Sequence, residues 1–129
     1  MEAEKRKKLE TDFFILNFKL YKIGSGKRCH ENSRILASAL RKKGHDVRVV
    51  DGLYLGVKGK MIKHSWIEYE DLVLETDPEQ LGIKSRIPYA VLDRKDYIQE
   101  YEEEDIDFSL ELNDEEIDKI ASGLVEKLS

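Results

Sequence analysis

The chain is poor in the residues that brace small proteins covalently or bend them sharply: one cysteine, two prolines and one tryptophan in 129 residues. A single thiol excludes an internal disulfide and fits a reducing compartment. Asparagine and glutamine are scarce while lysine and glutamate are abundant, a balance associated with thermophilic sources. No apolar run approaches the length that spans a bilayer. The opening Met1-Glu2-Ala3-Glu4-Lys5-Arg6-Lys7-Lys8 leads into no unbroken apolar stretch, so no secretion signal is expected. These absences predict no membrane partner and a cytoplasmic location. No internal repeat and no low-complexity linker interrupts the sequence, and its length suits one domain, residues 1–129.

What is present is charge. Charged residues make up 38% of the chain, well above the usual quarter, and the net of −5 conceals an asymmetry. Residues 1–48 carry 13 Lys/Arg against 6 Asp/Glu, whereas residues 96–118 carry 12 Asp/Glu and no Lys/Arg. The acidic block would repel phosphates, so nucleic acid is not an expected partner. It reads most simply as a solvated surface, and alternatively as a cover for the basic N-terminal half.

Periodicity divides the chain into elements. Leu9, Phe13, Leu16 and Leu20 recur at helical spacing over residues 4–22, and Phe14 and Phe18 are expected to widen that stripe. A glycine-containing loop, Ile23 to Arg28, precedes a second helix ended by Gly44, with Cys29, Asn32, Ser33, Leu36, Ala37 and Leu40 on one face. His45, just past the cap, is expected at the surface. Alternation then predicts a strand through Val47, Val49, Leu53 and Leu55, a turn at residues 56–60, a strand Met61–Tyr69, a turn at Glu70-Asp71 and a strand Leu72–Thr76 ended by Asp77-Pro78. Tyr89–Leu92 forms a short apolar segment, Asp96–Tyr101 a helical turn or two, and residues 102–105 a solvated loop. Asn113 caps a last helix, about 114–128, whose stripe is Ile117, Ile120, Ala121, Leu124 and Leu128. The predicted class is α+β, a cysteine-bearing helix on a small antiparallel sheet with helices before and after it.

Cys29 opens its helix, where unpaired N–H groups and the positive end of the macrodipole favour thiolate over thiol. Lys27 and Arg28 act in the same direction. Symmetric pairing about Glu70-Asp71 sets Tyr69 opposite Leu72, Ile67 opposite Leu74, Ser65 opposite Thr76 and His64 opposite Asp77. Opposed residues hold their Cβ atoms about 4.5–5.5 Å apart. An aspartate there can orient an imidazole and leave its other nitrogen for a thiol. Cys29 as nucleophile, His64 as general base and acid, and Asp77 as orienter make a nucleophilic triad. The Cys29 N–H is one donor for an oxyanion. Tyr21, Lys22 and Gln80 are candidates for a second by proximity in sequence alone.

Other readings of the same residues are simpler. A lone cysteine is commonly buried filler, and a lone strand histidine is commonly structural. Cys29, His30, His64 and Asp77 have zinc-ligand chemistry, but structural zinc sites use more cysteines at closer spacing. Gly24-Ser25-Gly26-Lys27 lacks the full phosphate-loop pattern and follows a helix, not a strand. Trp66 shares the His64 side of its strand and fits ordinary sheet packing. His30 points away from Cys29 as an adjacent helical residue. Glu31 and Asn32 either cap the helix or brace the site. No metal or other cofactor is expected.

Three segments together resemble the transglutaminase-like branch of the papain-like cysteine proteases and acyltransferases. They are Arg28-Cys29-His30-Glu31-Asn32-Ser33 with Ala37 and Leu40-Arg41-Lys42-Lys43-Gly44; Val47-Arg48-Val49-Val50-Asp51-Gly52; and His64-Ser65-Trp66-Ile67-Glu68 with Glu75-Thr76-Asp77-Pro78. The likeness covers about residues 27–80. It implies a papain-like core in which Cys29, His64 and Asp77 match nucleophile, base and orienter, acting on a peptide or protein amide by hydrolysis or acyl transfer. A non-catalytic peptide- or protein-binding module on the same fold is the alternative, and a metal-binding or structural protein the third reading.

Overall fold

The apolar row Leu9, Phe13, Leu16 and Leu20 recurs every three or four residues, and it forms the buried edge of a long first helix, α1 (Ala3–Ile23). A computed structural model describes residues 3–23, 29–55, 61–76, 90–97, 101–103 and 112–126. The side chains of 29, 54, 55, 61, 62, 90, 96, 97 and 101–103 fall outside that description. Phe14 and Phe18 do not join the core stripe. They are 44% and 47% exposed, lie parallel at 6.5 Å, and Lys22 Nζ sits 4.9 Å from the Phe18 ring centre. Phe14 follows the buried Phe13 and Phe18 the buried Asn17, each by one residue, a turn of about 100° that carries it clear of the core.

The second helix, α2 (Cys29–Lys42), buries Ile35, Leu36, Ala37, Ala39 and Leu40. It stops in a Schellman arrangement: the Gly44 N–H reaches the Arg41 carbonyl and the His45 N–H the Leu40 carbonyl, both at 3.0 Å. Gly44 takes φ +94°, open to glycine without the Cβ penalty. The same closure turns His45 inward. His45 is therefore buried rather than at the surface, and its Nε2 lies 2.7 Å from Oδ2 of Asp12 on α1.

Five strands follow as one antiparallel sheet in the order β4-β3-β2-β1-β5, comprising β1 (Arg48–Leu55), β2 (Met61–Tyr69), β3 (Leu72–Glu75), β4 (Ala90–Asp93) and β5 (Tyr101–Glu103). β2 and β3 pair Tyr69 with Leu72 and Ile67 with Leu74, the symmetric register expected about Glu70-Asp71. Glu70 accepts φ 49° at that turn, a left-handed conformation unusual for a side chain other than glycine or asparagine. A short helix α3 (Arg94–Tyr97) follows β4. Tyr101, expected in a helical turn, and Glu102 and Glu103, expected in a loop, are instead a strand. They add an edge strand against Gly52–Tyr54 of β1, and an acidic edge discourages further strand pairing.

The last helix, α4 (Asp114–Glu126), begins with a reciprocal cap. Asn113 Oδ1 accepts the Glu116 N–H at 2.8 Å and Glu116 Oε1 accepts the Asn113 N–H at 3.3 Å. Ile117, Ala121 and Leu124 bury against α2. Lys42 bonds Asp118 at 2.8 Å, and the Lys42 ammonium holds the Asp118 carboxyl below its ordinary value. Glu31 Oε2 accepts the Leu112 N–H at 3.0 Å. The acidic end of the chain thus meets the basic second helix, at least over residues 112–118.

Strand alternation separates two apolar clusters. Ile67, Tyr69, Leu72 and Leu74 pack with the helices, while Val50, Trp66 and Val73 gather with Leu92 on the opposite face. No helix among the described residues is long and apolar enough to cross a membrane. The expected segments at residues 24–28, 56–60 and 77–89, together with Glu104, Asp105 and Leu128, lie outside the described residues.

Candidate functional site

β2 carries the candidate base. Its even-numbered residues His64, Trp66 and Glu68 share the face away from the helices; Ser65, Ile67 and Tyr69 point towards them. His64 is 1% exposed and its ring lies over that of Trp66, with centres 6.4 Å apart and planes 22° apart. Trp66 is itself in the apolar cluster with Val50 and Val73, so it packs the sheet and flanks the imidazole at once.

The carboxylate that holds His64 is Glu75. Its Oε2 accepts from Nε2 at 2.7 Å, and Glu75 is 0% exposed. One step beyond the Ile67–Leu74 pair, the register brings Glu75 opposite Trp66, so Glu75 meets His64 on the diagonal. Diagonal Cβ atoms lie roughly 7–8 Å apart, a gap that glutamate's extra methylene helps to close. With Nε2 committed to a carboxylate, proton exchange with a thiol falls to Nδ1. Sequence reasoning missed Glu75 because it followed directly opposed pairs. The available signal was a glutamate ending a strand whose four residues are all buried.

Asp77, the expected orienter, lies outside the described residues, as does the Cys29 side chain. The Cys29 backbone is described and begins α2. One turn later, the Ser33 hydroxyl donates to the Ser65 carbonyl at 3.2 Å in a fully buried contact. Two small side chains here let helix and strand approach closely, and they place the first turn of α2 beside the residue next to His64. The helix lies on the Ser65 face and the imidazole on the other. β3 stops at Glu75, short of the His64 rung. On the β1 side that rung is Gly52, which adds no side chain beside the imidazole.

Two polar atoms near this junction, Asn32 Oδ1 and Thr76 Oγ1, are buried without a hydrogen-bond partner among the described residues. No group of three or more His, Cys, Asp or Glu fit to hold a metal occurs among the described residues. Comparison with protein-family models, with curated proteins and with solved structures gave no significant match.

Proposed function

We propose that the chain is a transglutaminase-like cysteine hydrolase or acyltransferase with a papain-like core, acting on a peptide or protein amide. The observation that carries this reading is the 2.7 Å bond from His64 to the buried carboxylate of Glu75, on the strand that the first turn of α2 grips through Ser33 and Ser65. The pair fixes an imidazole with one nitrogen committed. The neighbouring helix begins with the chain's sole thiol.

In the proposed chemistry His64 Nδ1 takes the Cys29 proton and the thiolate adds to the amide carbonyl. The Cys29 backbone N–H, at the first residue of α2, stabilises the oxyanion. The imidazolium then protonates the leaving amine. Water, or a second amine, releases the acyl group by the reverse route. Glu75 holds the ring and stabilises its cationic form. The family likeness assigns the orienting role to Asp77, which lies outside the described residues; with Nε2 bonded to Glu75 and Nδ1 serving the thiol, the proposal gives that role to Glu75.

An electrophilic acyl probe tests the reading. Its adduct mass should map to Cys29, disappear in Cys29→Ser and fall about a hundredfold or more in His64→Ala, the range usual for loss of a general base. A specific observation favours the rival, a binding module on the same fold: both His64 and Glu75 are sealed from solvent. That reading predicts no acyl adduct while the protein remains folded.

A further inference from the structure

A closed ring of hydrogen bonds ties the start of α2 to the two central strands. Arg34 donates through Nη1 to the His30 carbonyl and through Nη2 to Asp51 Oδ2, both at 2.8 Å. Asp51, on β1, accepts the Ser65 hydroxyl on its other oxygen, Oδ1, at 2.6 Å. The Ser65 carbonyl in turn accepts the Ser33 hydroxyl. The ring therefore runs from the residue after Cys29, through Arg34 and Asp51, to the residue after His64, and back to α2. Its ion pair is about three-quarters buried, with Arg34 and Asp51 side chains each 23% exposed.

We propose that Asp51 is a positioning residue that fixes the first turn of α2, and with it Cys29, against the strand that carries His64. The inference rests on the thiol chemistry proposed above. It assigns a role to a β1 side chain bonded to Arg34 and Ser65. Asp51 and Ser65 are directly paired across β1 and β2, so the carboxylate is held by register as well as by its bonds. Each of its oxygens serves a different element. A neutral amide at this position keeps one acceptor oxygen, so it loses the charge facing Arg34 and can hold Ser65 at the same time only if the hydroxyl reverses to accept. Helix and strand packing elsewhere rests on the apolar contacts of Leu36, Leu40 and Ile67, which these bonds do not touch. Loosening the ring should thus blur the geometry at the helix start before it unfolds the domain.

The test follows Cys29 alkylation by iodoacetamide against pH in the wild type, Asp51→Ala, Asp51→Asn, Ser65→Ala and His64→Ala, with circular dichroism to establish folding. The expected result is a midpoint in Asp51→Ala raised by about one pH unit, which below both midpoints is about a tenfold slower reaction at fixed pH. Asp51→Asn and Ser65→Ala should give smaller shifts in the same direction. If Asp51→Ala does not fold, the other two variants decide. A His64-dependent wild-type midpoint that folded Asp51 and Ser65 variants leave unmoved overturns this inference and leaves the proposed function standing. A wild-type midpoint at the free-thiol value, the same in His64→Ala, overturns both.

Discussion

Among the described residues are two buried histidine–carboxylate pairs of the same length, His64–Glu75 and His45–Asp12, each bonded through Nε2 at 2.7 Å. Distance does not tell them apart, and both pairs are buried. Position does. His45 sits behind the Schellman turn at the C-terminal end of α2, edge-on to Tyr69, where it joins α1 to the core. His64 sits beside the strand residue gripped by the opposite end of the same helix, the end that begins with Cys29. A buried imidazole with a carboxylate is thus no evidence of function by itself. In the proposed function, the thiol at the neighbouring helix start gives one pair a chemical use and leaves the other as a clasp.

The largest effect that separates the pairs is kinetic. Cys29 alkylation at neutral pH should slow at least tenfold in His64→Ala and stay within twofold in His45→Ala, as read by mass-resolved labelling. Equal slowing in both would make the loss a general loosening of the fold. Stability should rank the carboxylates next. Removing Glu75, wholly buried, leaves an uncompensated imidazole, and Glu75→Ala should cost about 3–5 kcal/mol in urea unfolding. Asp12 is 9% exposed, and water can relieve part of the loss, so Asp12→Ala should cost about 1–3 kcal/mol. A reversed order would contradict the account of their surroundings. The smallest effect belongs to the rim of the His45 clasp. Lys5 lies 5.3 Å from the Tyr69 ring centre, and bonding to Tyr69 and then Glu70 raises its ammonium from 10.5 to about 12. Its contribution is complete below 10.5 and is lost as pH rises through about 12. Lys5→Met should therefore lower the unfolding midpoint slightly below pH 10.5 and leave it unchanged above 12.

Local pattern made much of this legible. The row at Leu9, Phe13, Leu16 and Leu20, the stop at Gly44, and the symmetric pairing of Tyr69 with Leu72 all follow from period and turn chemistry. What escaped depends on contacts distant in sequence. Asp12 lies within an apolar row and gives no sign that a histidine 33 residues away will meet it. Tyr101 reads as the end of a helical turn and residues 102–105 as a solvated loop because nothing in them signals that β1 offers an open edge. Phe14 and Phe18 show that apolar character alone does not assign a face. At the candidate site, the Cys29 and His64 elements came from helix and strand signals, whereas Glu75 required the diagonal of a register rather than its rungs.

The central claim is that His64, held by Glu75, sets the acidity of Cys29. The most direct test is the pH dependence of Cys29 alkylation in wild type, Glu75→Gln and His64→Ala. The account predicts a wild-type midpoint well below the free-thiol value of about 8.5, raised in both variants and most in His64→Ala. A midpoint at or above that value, unmoved by either substitution, would contradict it.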